Sequence, residues 1–111
     1  MAYFRMHYIL EGKKAVPCDS EAWSAFRKED RSKRLVAFNE TSTHIVSTIF
    51  FGLDQQFYDG GPPLIFETGV LDKTAECELI DQDRYSTWEE AARGHKKMWA
   101  KYFNRSFHVV S

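Results

Sequence analysis

The stretch His44-Ile45-Val46-Ser47-Thr48-Ile49-Phe50-Phe51-Gly52-Leu53 decides the fold. It is β-branched and aromatic, a composition that suits a pleated and packed surface. It is nearly apolar on both alternating faces, which predicts a strand placed centrally in a sheet. Before it, residues 35–39 are apolar and extended, and residues 40–43 make a polar turn. After it, residues 64–71 return as a strand. Leu64, Phe66, Thr68 and Val70 share one face of that strand, and Ile65, Glu67, Gly69 and Leu71 share the other. Residues 72–74 turn, and residues 75–80 form a short further strand.

Working outward, residues 3–10 alternate, with Phe4, Met6, Tyr8 and Leu10 on one face of a strand. Glu11-Gly12-Lys13-Lys14 turns, and Ala15-Val16 extends the arm of a hairpin. Pro17-Cys18-Asp19-Ser20 starts a helix, because Asp19 or Ser20 can accept from the free amides of its first turn. Ala22, Trp23, Ala25 and Phe26 form its apolar stripe. Towards the other end, Ser86-Thr87-Trp88-Glu89 fits a capping box. Residues 87–103 follow as an amphipathic helix, with Trp88, Ala91, Ala92, His95, Met98, Trp99, Tyr102 and Phe103 at steps of three and four. Residues 107–110 read as an edge strand. The order β-α-β-β-β-(β)-α predicts an α+β domain over residues 1–111: a single antiparallel sheet with one or two helices packed on one face.

Composition bounds the function. The 111 residues are 43% hydrophobic, 15% aromatic and 28% charged, with net charge −1. That length fits one domain, and the aromatic content is far from that of a disordered chain. Near-neutrality argues against a general nucleic-acid binder and against a polybasic membrane anchor. The cysteines, Cys18 and Cys77, form no CxxC pair and point to a reducing compartment. Arg5 and His7 interrupt the apolar N-terminus, so no signal peptide is expected. No apolar run reaches the roughly 18 residues a membrane span needs. The expectation is a cytoplasmic protein.

Charge is segregated along the chain. Residues 67–90 hold eight acids against two bases, and residues 91–111 hold five bases and no acid. Read plainly, a solvated acidic hairpin leads into a helix whose charges match its dipole. Read functionally, Glu76, Glu78, Asp81 and Asp83 form an acidic face for a basic partner. The run over residues 27–34 holds five bases and two acids, and reads as a solvated helix end and loop, with a partner patch as the minority reading.

Candidate chemistry is sparse. Asp54, Asp59 and Glu67 flank one loop, whose Asp59-Gly60-Gly61-Pro62-Pro63 segment is dense in turn formers. Glu67 interrupts an apolar strand. Either it enters a half-buried site suited to acid–base work, or it pairs with Arg34 or Arg84. His7, His44, His95 and His108 show no metal-ligand spacing, and His95 on the inner stripe of the last helix reads as a hydrogen-bonded core residue. His44 can reach Asp54 or Glu67 only by tertiary contact. Cys18 beside a helix start reads as a packed cap residue, or as a thiol activated by the helix end. No phosphate loop, nucleophile elbow or RNA-binding motif is present. No metal or cofactor is expected.

Taken together, residues 46–54 (Val-Ser-Thr-Ile-Phe-Phe-Gly-Leu-Asp), 60–68 (Gly-Gly-Pro-Pro-Leu-Ile-Phe-Glu-Thr) and 83–91 (Asp-Arg-Tyr-Ser-Thr-Trp-Glu-Glu-Ala), with Gly94-His95, resemble a family of small uncharacterised bacteriophage and prophage proteins. Tyr8-Ile9-Leu10-Glu11-Gly12, Val16-Pro17, Asp19, Trp23 and Phe26 fit the same pattern. The chain departs from it at Gln55, where the family commonly has His, and at residues 69–72, where an apolar-Phe-Gly segment is common. Gln55 removes any Asp-His pair at that point. The resemblance implies a virus-encoded protein acting in a bacterial host cytosol and implies no reaction. The reading is therefore a non-enzymatic interaction module with a protein partner, of the counter-defence or host-modulating kind. Its alternatives are a small enzyme or ligand binder using Asp54, Asp59 and Glu67, and a virion or scaffold component that associates through an exposed strand edge.

Overall fold

The computed structural model describes residues 6–54 and 61–104. Six strands and two helices follow one another: β1 His7–Glu11, β2 Lys14–Cys18, α1 Ser20–Arg27, β3 Leu35–Glu40, β4 His44–Phe50, β5 Phe66–Asp72, β6 Glu78–Tyr85 and α2 Trp88–Trp99. The α+β class is as expected. The single sheet is not: β1 and β2 form their own hairpin, and β3-β4-β5-β6 form a separate four-stranded antiparallel sheet with β4 inside it.

Gly52 causes the division. Its φ of 71° ends the run that the sequence continues to Leu53, and a Cβ there would strike the Tyr8 carbonyl oxygen. Only glycine meets both demands. Past this pivot the chain crosses to β1, where Tyr8 N donates to Gly52 O (2.7 Å) and Asp54 N donates to Met6 O (3.1 Å). The hairpin thus attaches to the end of the main sheet, not to its edge.

Strand alternation builds the core. Val46, Thr48 and Phe50 of β4 stand opposite Val70, Thr68 and Phe66 of β5, and all six are fully buried on one face. Each Phe contributes about 1.5–3 kcal/mol by leaving water. Phe50 and Phe66 meet edge to face at 5.0 Å, with Phe26 of α1 and Trp88 of α2 against the pair. Both helices therefore cover the same face. Asp19 caps α1 by accepting from Ala22 N.

Three local readings shift. The cap of α2 is Thr87, accepting from Glu90 N, while Glu90 accepts from Ser86 N. The capping box thus lies one residue later than Ser86–Glu89 implied. The last helix stays α-helical only to Trp99, and a π-helical turn, Ala100–Asn104, then brings Tyr102 and Phe103 onto the His44 ring. Finally, β6 begins at Glu78 because Glu76 and Cys77, both at positive φ, complete the turn after β5. The strand expected over residues 107–110 lies outside the described residues.

Candidate functional site

The helix α2 lays His95 on the inner face of the sheet, where Thr48 and Thr68 stand directly across from each other. His95 is 4% exposed and both threonines are fully buried. The ring Nε2 donates to Asn39 Oδ1 of β3 (2.7 Å), which fixes the neutral tautomer and leaves Nδ1 to accept from Thr48 Oγ1 (2.7 Å). Thr48 Oγ1 in turn accepts from Thr68 Oγ1. Burial holds the His95 pKa below the ordinary imidazole value. One polar thread therefore ties three strands to a helix. Such a thread sets register, since any slip would strand a buried donor. His95 and the two threonines are buried and Asn39 is half-buried, so the arrangement acts to specify the fold.

The expected site residues separate. Asp54 Oδ1 accepts from Leu64 N (2.9 Å) and so closes the loop after β4. Asp59 lies outside the described residues. Glu67 pairs with Arg84 Nε (3.2 Å) across β5 and β6, on the face away from the helices. His44 meets Tyr102 and Phe103, with neither Asp54 nor Glu67 among its ring contacts. Cys18 is half-buried, and its thiol pKa is raised by burial and by the Asp19 charge, the opposite of helix-end activation.

The acidic run also divides. Glu76 and Glu78 are exposed at the tip of the β5–β6 hairpin. Asp81 accepts from Lys101 Nζ (2.7 Å) and Tyr102 Oη (2.8 Å), and these bonds hold its carboxyl below the usual carboxylate range. Asp83 accepts from the Arg84 amide. A groove of about 560 Å³ runs between β6 and α2. Asp81, Asp83 and Glu90 line it together with Arg93, Lys97 and Lys101, so the two charged segments largely neutralise each other in space. Among the described residues, no group of three or more His, Cys, Asp or Glu converges as metal ligands would. Nor is any described helix long and apolar enough to cross a membrane.

The opposite face of the four-stranded sheet has a different character. Phe38, Ser47 and Gly69 form one cross-strand row on it. Leu79 lies over Gly69, where an added Cβ would sit 3.2 Å from Leu79 Cδ1. Phe38 is 48% exposed, Leu79 47%, and Ile80, which occupies the bulge of β6, 40%. Ser47 Oγ is buried in this row without a hydrogen-bond partner. Ile45, Ile49 and Leu71 are half-buried around it. Alternation in β4 and β5 carried part of this signal, since both faces of β4 are apolar. Leu79 and Ile80 were legible only as a short strand of uncertain partner. Compared with protein-family models, curated proteins and solved structures, the chain matches none of them.

Proposed function

We propose that this chain is a non-enzymatic protein-binding module that docks its partner on the open face of the four-stranded sheet. One observation carries the reading: both helices cover one face, and the other presents Phe38, Leu79 and Ile80 to solvent around an unpartnered Ser47 hydroxyl. An apolar centre flanked by self-paired charges fits a protein surface better than a polyanion. Here those flanking pairs are Glu67–Arg84 and Glu40–Lys73. The resemblance to small phage proteins supplies the setting, a bacterial cytosol during infection.

The enzyme alternative is less well supported, because Asp54 and Glu67 are engaged with different partners on different parts of the sheet. Association through the β6 edge is also disfavoured. The amides of Gln82 and Arg84 are already taken by the carboxylates of Asp81 and Asp83, a device that blunts an edge.

The test places a photo-crosslinking residue at Phe38 or Leu79 in one set of variants and at Lys96, exposed on α2, in another. The reading expects one protein to be captured from infected cells at the first two positions only, and lost when Leu79→Asp is added to the Phe38 probe. Equal capture at Lys96, or capture indifferent to Leu79→Asp, overturns it. A dimer of the purified chain that Leu79→Asp dissolves would show instead that a second copy covers this face.

A further inference from the structure

Of the charged groups that line the groove between β6 and α2, Asp81 and Lys101 are the pair that meets across it (2.7 Å). Register explains the arrangement. Asp81, Asp83 and Tyr85 stand opposite Val70, Thr68 and Phe66, so they share the helix-covered face of the sheet. Arg93, Lys97 and Lys101 recur at steps of four along α2 and the turn that extends it, and all three line the same groove. The Asp81–Lys101 pair bounds one end, and Ser86, where the chain turns from β6 into α2, bounds the other.

Between those ends the charges stay apart. Arg93 and Lys97 are exposed, and neither enters an ion pair among the described residues. Asp83 and Glu90 are exposed as well, and each accepts one backbone amide, from Arg84 (2.9 Å) and Ser86 (3.1 Å), without an ion pair among the described residues. The apolar groups lie deeper: Met98 is buried, and Leu64 and Tyr85 are half-buried. The Tyr85 ring rests against the bare backbone of Gly94 and so fixes the spacing of strand and helix. The volume of about 560 Å³ falls within the roughly 300–1,000 Å³ of small-molecule sites.

We propose that this groove binds a small zwitterion with an apolar body, the chemistry shared by an apolar amino acid and a short peptide. Its carboxylate meets Arg93 and Lys97, and its ammonium meets Asp83 and Glu90, by charge-assisted hydrogen bonds. Its apolar body covers Tyr85, Leu64 and Met98, which it removes from water. The balance of two bases and two acids selects against simple ions, since an ion of either sign gains beside one pair and loses beside the other. The groove includes none of Phe38, Ser47, Leu79 and Ile80, so this site stands or falls separately from the proposed docking face.

The test is a nitrogen–proton correlation spectrum of the whole chain, titrated with leucyl-leucine, with its N-acetyl form, with its C-terminal amide and with free leucine. A saturable shift of the Gly94 and Lys97 amide signals is expected with leucyl-leucine. Capping either terminus should weaken binding roughly tenfold, the effect of losing one charge-assisted contact. Saturation by free leucine at equal affinity would assign the site to an amino acid, and preference for the dipeptide would assign it to a peptide. Lys97→Gln should weaken leucyl-leucine but not its amide, and Asp83→Asn should weaken leucyl-leucine but not its N-acetyl form, with the dispersed amide spectrum kept in both. The proposal is overturned by the absence of a saturable shift with either leucine or leucyl-leucine, by capped forms that bind as well as the free dipeptide, or by an affinity that both substitutions leave unchanged.

Discussion

The ring of Tyr85 occupies the space that a side chain at position 94 would need. A Cβ on Gly94 would collide with Cε1, Cζ and Oη of Tyr85. The last residue of β6 and the middle of α2 thus interlock, and the Tyr85 hydroxyl is buried there without a partner of good hydrogen-bond geometry. Burial raises its pKa.

Gly94→Ala tests this interlock. Alanine favours a helix over glycine by about 1 kcal/mol. Overpacking against a fixed ring costs about 1–3 kcal/mol. The collision involves backbone-anchored α2 on one side and a packed ring on the other, so overpacking should win. A lower urea midpoint is expected in Gly94→Ala, and a recovered one in the double variant Gly94→Ala, Tyr85→Leu.

The buried His95 sets a pH dependence. Unfolded histidine takes up its proton near pH 6.5. Folded His95 resists protonation because burial lowers its pKa. Its contribution to stability is therefore complete above about pH 6.5 and is lost as pH falls below that value towards the folded pKa, with a slope of at most about 1.4 kcal/mol per pH unit. The lowered carboxyls of Asp72 and Asp81 act in the same direction at more acid pH. Urea midpoints compared at pH 7.5 and pH 5.5 should fall in the wild type and fall less in His95→Gln.

Removing one link of the thread should cost more at Thr48 than at Thr68. Thr48→Val leaves the buried Nδ1 of His95 without its donor, a loss of about 1–3 kcal/mol. Thr68→Val takes only a donor from Thr48, whose own hydroxyl proton still serves His95. Chemical denaturation of the two variants would show the ranking, and equal losses would contradict the order of donors.

The turn after β5 holds Glu76 at φ 57° and Cys77 at φ 58°. Left-handed backbone costs an ordinary residue about 1 kcal/mol or more. Cys77→Gly should accordingly raise the thermal midpoint, while Cys77→Val, a β-branched residue in the same conformation, should lower it.

Blunting of the β6 edge is also testable. Asp81→Thr with Asp83→Thr would free the amides of Gln82 and Arg84 and remove two charges from an edge strand. Light scattering after size exclusion should then show concentration-dependent association that is absent in the parent chain.

Much of the main sheet and of α2 could be read from local pattern. The apolar run over residues 44–53 marked a central strand, and alternation put Phe66, Thr68 and Val70 on one face of the next, the face that the structure buries. The helical steps from Trp88 to Met98 put His95 on the inner stripe, where hydrogen bonds receive it. Asp19 and the Ser86–Glu89 segment marked both helix starts to within a residue. These features depend on contacts between near neighbours in sequence, which composition and spacing record directly. For the candidate carboxylates the residue pattern offered Arg34 or Arg84 as alternative partners of Glu67 and no partner for Asp81, because the groups that commit them lie on other elements: Arg84 on β6 and Lys101 in the π-helical turn.

Amino-acid order alone determined the α+β class, which residues of β5 share a face, and the caps of the helices to within a residue, because alternation and capping act over a few residues. Tertiary structure decided the rest. The close approach of Tyr8 to Gly52 turned one expected sheet into two. The meeting of β6 with α2 set the acidic segment against the basic one. The placement of both helices on one side left Phe38 and Leu79 open to water. Each of these depends on how whole elements pack against one another, and no local pattern encodes which surface an element will meet.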